Sequence, residues 1–181
     1  MIVKNNYFWT EKEKKESGEG SAGAVPAFLA NGDRAKVLRV SNYIELYGFR
    51  FATLLLQLPD YDDYEMQVTG MLDTLQSEAP ALTHEQQEEL FRQVEEDYQH
   101  FVPLKADRMK SIRQDAYFNA LQIKYAYAVT CHKAQGGQWA HVYVDQGYMT
   151  DDMLTPDYIH WLYTAFTRAT DKLFLVNWPK E

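Results

Sequence analysis

Apolar and polar positions alternate along the first half of the chain with the two-residue period of β-strands. From Ala35 to Met71 the alternation is broken by turn-forming residues at Gly48 and Pro59. The pattern predicts several short antiparallel strands within "AKVLRV", "YIELYGFRFATLLLQL" and "YEMQVTGML". We therefore expect a small β subdomain over residues 29–80.

The pattern then changes to the helical period. Thr83 and Gln86 are spaced as a capping box that starts a helix. Apolar residues follow at helical spacing, namely Leu90, Phe91, Val94, Tyr98 and Phe101. A second helix is expected from Lys105 to Gln122, so that residues 81–122 form a helical segment. Its basic residues suit either a solvated surface or a contact with nucleic acid, and composition leaves both open; they are Lys105, Arg108, Lys110 and Arg113.

Strands and helices alternate in the last third of the chain. One strand is expected over Ile123–Val129 and another over Trp139–Asp145, with a polar loop between them. A helix follows, marked by Thr155 as N-cap and Pro156 in its first turn, and a last strand covers Lys172–Asn177. Alternation of this kind predicts an α/β sheet with its loops gathered at one edge.

Residues Thr10 to Gly23 interrupt these patterns. The segment "TEKEKKESGEGSAG" is charged and then rich in Gly and Ser, without apolar periodicity. We expect a flexible loop there, within a first region of residues 1–28.

Composition narrows the class of protein. The chain has 181 residues, 46% of them hydrophobic, which is enough for a substantial core. Its single cysteine, Cys131, excludes an intramolecular disulfide, and the sequence shows neither a secretion signal nor an apolar run long enough for a bilayer. We expect a soluble cytoplasmic protein without a membrane partner.

Charge is distributed unevenly along the chain. The net charge is −8, yet residues 60–100 hold 12 acidic residues and one basic residue, which leaves +3 for the rest. An acidic total therefore does not exclude a local basic surface, because charge interactions are screened within about 10 Å at moderate salt.

The loop from Thr130 to Gln138 carries the richest set of polar residues. Ligands of α/β sheets bind where loops leave the carboxyl ends of strands. A glycine pair, Gly136 and Gly137, lets backbone N–H groups approach an anion, and the polar side chains can bond a phosphodiester or a base edge. Those side chains are Thr130, His132, Lys133, Gln135 and Gln138. On residue types alone, a structural turn and a ligand site are both open.

A second candidate is Arg168, in "YTAFTRATDKLFLV", where the expected helix leads into the last strand. Most arginines are surface residues, and this one has that interpretation too. A planar guanidinium is also the group that stabilises charge on a transferring γ-phosphoryl group.

Taken together, the two segments resemble a known family. "AVTCHKAQGGQW" and, about 35 residues later, "LYTAFTRATDKLFLV" are similar to motifs V and VI of superfamily 1 DNA helicases. The nearest branch is the RecD-like one, of the exodeoxyribonuclease V alpha-subunit type, close to the UvrD-type carboxyl-terminal domain. "VKNNYFW" and "LANGDRAKV" resemble segments upstream of and within an SH3-like subdomain of that branch.

The resemblance implies an α/β fold in which a RecA-like second motor domain, incomplete in this chain, carries an inserted SH3-like β-barrel. Residues 1–28 and 123–181 would belong to the motor domain and residues 29–80 to the insert. Motif V would place Thr130 and His132, with Lys133 beside them, near the backbone of single-stranded DNA.

On the nucleotide side, the resemblance places Gln135, Gly136 and Gln138 toward ATP. Arg168 would be the catalytic arginine finger that reaches the γ-phosphate across a cleft, with Tyr163, Thr164 and Thr167 supporting its helix. The family often has Glu at the position of Gln138. An amide can bond a ribose hydroxyl there but supplies no charge.

Two ATPase elements do not occur in the sequence. These are the phosphate loop G-x-x-x-x-G-K-[ST] and a Walker-type acidic pair. In the family both belong to a first motor domain, and the start at Met1-Ile2-Val3 has the pattern of a strand in mid-domain. The resemblance thus implies ATP with Mg²⁺, bound mainly by that first domain of the same polypeptide, and no metal site in this chain. DNA, single- or double-stranded, and nuclease or repair proteins are the other implied partners.

Two functions from different classes follow. The first is the carboxyl-terminal motor-domain part of an ATP-dependent DNA helicase, which supplies the arginine finger and strand contacts for translocation and unwinding. This chain alone would then be inactive as an ATPase. The alternative is a stand-alone, helicase-derived module that binds DNA or a protein and hydrolyses nothing.

Overall fold

The computed structural model of the chain describes residues 1–17 and 25–178. It divides into two compact units, Met1–Ala126 and Tyr127–Glu181. Each unit combines helices with strands, so the predicted α/β class is confirmed. Among the described residues, helices that could cross a bilayer are absent.

The first unit is built on a four-stranded sheet in the order β1-β2-β3-β4. Its strands are β1 (Lys36–Leu46), β2 (Phe49–Leu58), β3 (Tyr64–Met71) and the short β4 (Leu121–Gln122). The first three are antiparallel neighbours, as the alternation predicts, and β4 runs parallel to β3. Within the described residues β1 and β4 are the two edges, so these strands form an open sheet and not a closed barrel.

Strand β2 supplies the centre of the first unit because its side chains are buried or partly buried along its whole length. Two clusters of buried residues meet it. One contains Ala52, Leu54, Leu56 and Leu58 together with Trp9 and Leu29, and the other contains Phe49 and Phe51 with Leu90 and Val94. The first set occupies even-numbered positions of β2 and the second set odd-numbered ones, so the two sets face opposite sides of the sheet.

In the part of this unit that the structure describes, four α-helices accompany the sheet: α1 (Phe8–Ser17), α2 (Asp73–Gln76), α3 (His84–Phe101) and α4 (Lys105–Arg113). Helix α3 begins with the predicted capping box of Thr83 and Gln86. Helix α1 occupies the first part of the segment that the sequence predicts to be a flexible loop. The indole N–H of Trp9 donates to the carbonyl of Asn119 (2.9 Å) and holds α1 in place. The rest of that segment, residues 18–23, lies outside the described residues.

Helix α4 is shorter than predicted: it ends at Arg113, whereas the sequence predicts a helix that continues to Gln122. The carboxylate of Asp115 accepts the backbone N–H groups of Tyr117 (2.8 Å) and Phe118 (2.7 Å). An aspartate that captures these donors forms a local turn in competition with the helix. The turn directs the chain back to the sheet at β4.

The basic residues of α4 do not form one exposed cluster. Lys105, Lys110 and Arg113 are exposed, but only 13% of the Arg108 side chain is. Its guanidinium lies 3.4 Å from a carboxylate oxygen of Glu95 and donates to the carbonyl of Val102. Arg108 therefore joins α3 to α4 instead of facing a ligand.

The strand predicted over Ile123–Val129 does not form. Ile123 instead exchanges hydrogen bonds with the buried side chain of Thr74. The Thr74 hydroxyl accepts the N–H of Ile123 (3.1 Å) and donates to its carbonyl (2.8 Å). A side chain thus takes the position of a strand partner, and β4 ends at Gln122.

The β1–β2 hairpin is fixed at its tip. Its two loop residues, Tyr47 and Gly48, have φ of 55° and 74°, the left-handed pair of a tight hairpin turn. The Tyr47 hydroxyl donates to the carboxylate of Asp97 on α3 (2.8 Å). Burial and this bond raise the pKa of Tyr47 well above its ordinary value. The tip is therefore braced against a helix.

The second unit is a parallel β-α-β arrangement. Strands β5 (Trp139–Asp145) and β6 (Ala169–Val176) pair in parallel, and α5 (Pro156–Phe166) lies between them in sequence. β5 has the predicted bounds, and α5 has the predicted N-cap, Thr155. β6 begins earlier than the predicted Lys172 because Ala169 already pairs with Trp139.

Tyr61 provides a test of the first unit. Its hydroxyl donates to the Asp33 carboxylate (2.8 Å), which also accepts the N–H of Ala30 (2.7 Å). Burial and this bond raise the pKa of Tyr61 to about 12. We expect Tyr61→Phe to lower the free energy of unfolding by about 1 kcal/mol at neutral pH.

The advantage of the wild type should shrink as pH rises through about 10 to 12, because the unfolded tyrosine ionises first while the folded one keeps its proton. Urea unfolding of both proteins at neutral pH and at pH about 11 measures this. Tyr148→Phe, at a side chain that is 84% exposed, is the control. An equal difference at both pH values would contradict the prediction.

Candidate functional site

The polar loop singled out in the sequence folds into a compact turn that leads into β5. Its first half, Cys131–Ala134, is a short 3-10 helix that follows Thr130. The N–H of Ala134 donates to the carbonyl of Thr130 (3.1 Å), and that of Gly137 donates to the carbonyl of Ala134 (3.2 Å). The turn therefore uses part of its own backbone hydrogen-bonding capacity. We call residues 130–138 the motif V turn.

The two glycines of this turn are required for different reasons. Gly136 has a φ of +84°, and a Cβ there would meet nothing within 4 Å. A Cβ on Gly137 would lie 2.3 Å from the Cη2 atom of Trp139. Gly136 thus provides a left-handed backbone conformation, and Gly137 provides the space in which an indole ring lies.

Arg168 is bonded to this turn. Its Nη1 donates to the carbonyl of Gly137 (3.1 Å), while Nε donates to the carbonyl of Thr164 (2.9 Å) and Nη2 to the hydroxyl of Thr167 (2.9 Å). These three acceptors with Arg168 form what we call the arginine clasp. The clasp joins the end of α5 to the motif V turn.

Backbone bonds support the clasp at both ends. The N–H of Trp139 donates to the carbonyl of Arg168 (2.9 Å), at the start of the β5–β6 ladder. The Thr167 hydroxyl, which accepts from Arg168, donates to the carbonyl of Tyr163 (2.8 Å). The side chain and the main chain of Arg168 are therefore both fixed.

The clasp leaves Arg168 able to bind an anion. A guanidinium has five N–H donors, and three of those of Arg168 are used. One hydrogen on each of Nη1 and Nη2 has no partner within the described residues. Two donors on a fixed plane suit the oxygens of a phosphate.

Two clefts flank the motif V turn within the second unit. The first, of about 680 Å³, lies between the turn, the loop after β5 and α5. Its polar and aromatic lining includes His132, Gln135, Gln146, Tyr158, His160 and Trp161. The second cleft, of about 530 Å³, is lined by strand β5 and by Trp139 and Arg168.

The clefts divide the predicted site residues differently from the sequence expectation. Gln135 is expected near the nucleotide together with Arg168. In the structure Gln135 borders the first cleft with His132, whereas Arg168 borders the second. The side chain of Gln135 is thus placed beside a residue expected to bind DNA.

The other predicted residues lie on the surface of the turn. Thr130, Lys133, Gly136 and Gln138 are all exposed. Thr130 begins the 3-10 helix through its carbonyl, and its hydroxyl makes no capping bond. The structure therefore brings the predicted residues together on one turn and presents most of them to solvent.

Cys131 sits between the clefts and lines both. Its thiol donates to the carbonyl of Trp161 (3.5 Å), and burial raises its pKa although the charge of Arg168 acts in the opposite direction. A protonated, bonded thiol is a poor nucleophile, so we assign Cys131 a structural role. Its hydrogen bond to Trp161 attaches the motif V turn to α5.

Nothing in the described part of the chain brings three His, Cys, Asp or Glu side chains together in an arrangement that could hold a metal ion.

Sequence reasoning missed Trp139 and the aromatic wall of the first cleft. Tyr158 and Trp161 stack at 5.7 Å with an interplanar angle of 12°, and Tyr158 accepts a hydrogen bond from Gln146 (2.7 Å). Their three-residue spacing on the predicted helix is a usable signal, because such residues share a face. For Trp139 the usable signal is that a large ring follows a glycine by two residues, because the glycine leaves space in which the ring can pack.

Comparison with known protein families finds a match that lies almost entirely in the second unit. Residues 125–176 match the family model of the UvrD-like helicase C-terminal domain. This match covers 52 of the 181 residues and includes the clasp and both clefts. It supports a helicase-related C-terminal segment of the superfamily 1 type. No curated protein matches the chain.

The different roles of Gly136 and Gly137 predict different couplings to Trp139. We expect Gly136→Ala and Gly137→Ala each to lower the free energy of unfolding by about 1–2 kcal/mol, the first through backbone strain and the second through a clash. Trp139→Leu should relieve the cost of Gly137→Ala but leave the cost of Gly136→Ala unchanged. Urea unfolding followed by circular dichroism, in double-mutant cycles, measures both couplings. Equal couplings would contradict the two separate roles.

Proposed function

We propose that this chain is part of the carboxyl-terminal, second motor domain of an ATP-dependent DNA helicase of superfamily 1, and that Arg168 is its arginine finger. The observation that carries the proposal is the arginine clasp inside the segment that matches the helicase family. The clasp bonds the group suited to a phosphate directly to the turn suited to a DNA strand.

The cofactor of this proposal is ATP with Mg²⁺, which supplies the γ-phosphoryl group. Arg168 fits that group because three of its donors are fixed and two remain for phosphate oxygens. A guanidinium already held in one plane loses little further freedom when it meets its ligand, and it stabilises charge without reorganisation. The phosphate loop and the Mg²⁺ ligands would come from a first motor domain.

The remaining nucleotide contacts would come from the last residues of the motif V turn, Gly136 and Gln138. Gln138 is exposed next to Gly137, whose carbonyl accepts from Arg168, so its amide is available to a ribose hydroxyl. Gly136 is exposed in a left-handed conformation that leaves its peptide accessible. We assign Gln135 to the first cleft, in accord with its position beside His132.

The DNA contacts would come from the first residues of the same turn. Thr130, His132 and Lys133 are exposed, and their hydroxyl, imidazole and ammonium groups suit phosphate oxygens. His132 lines the first cleft, whose wall also contains Tyr158 and Trp161, aromatic residues of the kind on which bases stack. A strand that follows the turn would thus meet donors and an aromatic surface together.

Two features of the fold support the RecA-like assignment and its RecD-like branch. β5 and β6 are parallel, and the apolar run of β6 is typical of sheets that are covered on both faces. In the first unit, the segments that resemble the RecD-like branch are neighbours. The N–H of Asn6 donates to the carbonyl of Leu29 (2.8 Å), and the Asn5 side chain accepts the N–H of Asn31 (2.8 Å).

The β subdomain would serve as a scaffold in this motor. A strand-separating pin needs a free tip, whereas the β1–β2 tip is bonded to α3 through Tyr47. Its β1 edge carries the exposed aromatic Tyr43, whose hydroxyl bonds the nearby Glu45. We therefore propose that this subdomain, an open sheet among the described residues, is a supporting element of the motor.

The arginine finger is tested by Arg168→Ala in the full-length gene product. We expect ATP turnover to fall by about 10³-fold or more, because the finger acts on transition-state charge. Single-stranded DNA affinity should fall far less, because Arg168 acts on the strand only through the motif V turn that it holds. Steady-state ATPase assays and DNA anisotropy measure the two quantities. Arg39→Ala, on an exposed arginine of β1, is the matched control.

Unchanged turnover in Arg168→Ala would remove the residue from this role. The mass of the native gene product is measured alongside with an antibody against this chain. If the intact protein has no ATPase activity but binds DNA, the chain is a binding module, and the motor proposal fails.

The DNA side is tested by Lys133→Ala and His132→Ala. We expect Lys133→Ala to weaken oligonucleotide binding and to reduce the slope of log affinity against log salt by about 1, since one phosphate contact is lost. His132→Ala should also weaken binding, because it removes a hydrogen-bonding side chain from the same turn. Lys15→Ala, exposed on α1, is the control, and an equal effect of it would contradict the assignment.

A further inference from the structure

We infer that Trp139 is the positioning residue of the arginine clasp: its indole ring fixes the carbonyl of Gly137 that holds Arg168. The catalytic meaning of this inference rests on the proposed function. The geometric part concerns only the second unit.

The first step is the contact between the ring and the glycine. A Cβ on Gly137 would lie 2.3, 2.8 and 3.0 Å from three ring carbons of Trp139. The ring therefore lies against the face of Gly137 from which a side chain would project. The Trp139 side chain is partly buried in this position and lines the second cleft together with Arg168.

The second step is what this contact does to the glycine pair. Two consecutive glycines have more conformational freedom than any other pair of residues. A backbone carbonyl in such a segment is therefore hard to keep in one position. The carbonyl of Gly137 must nevertheless stay 3.1 Å from Nη1 of Arg168. The ring blocks one side of Gly137 and so restricts rotation of its peptide groups.

The third step is that Trp139 also bonds Arg168 through the main chain. Its N–H donates to the carbonyl of Arg168 (2.9 Å), so one residue sets both the backbone and, through Gly137, the side chain of the arginine. The two links act on opposite ends of Arg168. A change at the ring should therefore alter the direction of the guanidinium while the ladder bond remains.

The consequence concerns the donors that Arg168 keeps for a ligand. Loss of the Gly137 bond would release Nη1, and the guanidinium would be held by Thr164 and Thr167 alone. A less restricted arginine can still bind a phosphate but meets it in more orientations. We therefore expect Trp139 to affect the rate of the chemical step more than the affinity for ATP.

The geometric part is tested by NMR on this chain. We expect the Arg168 Nη1–H that binds the Gly137 carbonyl to exchange slowly with water in the wild type and in Trp139→Phe, and about tenfold faster in Trp139→Val. Val suits the first position of a strand, so β5 should persist. Trp178→Leu is the matched control, because Trp178 lies in the same unit, packs on Phe166 and bonds Val144.

The functional part uses the full-length gene product. Trp139→Val should lower kcat for ATP by about tenfold or more with little change in KM, and Trp139→Phe should restore most of it. In an Arg168→Ala background the same substitution should have no further effect, because Trp139 acts through Arg168.

The outcomes separate this inference from the proposed function. An Arg168 Nη1–H that stays protected in folded Trp139→Val overturns the inference, as do additive effects on kcat, and both outcomes leave the arginine finger in place. Trp139→Leu replaces Trp139→Val if the latter does not fold. If Arg168→Ala leaves turnover unchanged while exchange still depends on Trp139, the positioning stands and the proposed function fails.

Discussion

The bond from the Arg168 guanidinium to the carbonyl of Gly137 is the contact on which the second unit depends. It joins residues 31 positions apart in a unit that has only two strands among its described residues. Two paired strands have little stability of their own, so connections between turn, helix end and ladder matter more than they would in a large sheet. Arg168 makes all three, through its donors to Gly137 and Thr164 and through its own carbonyl. The cost of partly burying its charge is offset because each of these donors has an acceptor.

The same bond gives the proposed motor a physical route between its two ligands. A phosphate is a stronger acceptor for a guanidinium than a neutral carbonyl is. A nucleotide that draws Arg168 toward itself would therefore loosen Gly137 and with it the turn that carries His132 and Lys133. Linkage requires the reverse as well, so a DNA strand that fixes the turn would favour one orientation of Arg168. The coupling needs no long pathway, because the two segments are in direct contact.

Patterns with local causes could be predicted from the sequence. The bounds of β5, the capping box at Thr83 and the N-cap at Thr155 depend on residues within a few positions of one another. The element boundaries were mispredicted where a single side chain, outside any periodic pattern, ends a helix or replaces a strand partner. Asp115 ends α4 early, and the Thr74 hydroxyl takes the place of a strand partner at Ile123.

The candidate site divides in the same way. Residue types and the helicase resemblance selected the motif V turn and Arg168, but neither indicates which side of a turn a side chain faces. The position of Gln135 beside His132 follows from the path of a tight 3-10 turn. The role of Trp139 depends on a ring packed on a backbone, for which a sequence has no periodic signal.

Charge constrains how this unit could hold a nucleic acid. The segment that matches the helicase family, residues 125–176, contains three basic and five acidic residues and is therefore slightly acidic. Arg168 is already bonded within the clasp, which leaves Lys133 and Lys172 as its described lysines. With about −0.7 in salt slope for each phosphate neutralised on a single strand, the slope of this unit should be only about −1 to −2. Binding would then rely on hydrogen bonds of the motif V turn and on stacking in the first cleft. Weak, short-range contacts of this kind suit a motor that must release and regain its strand at every step.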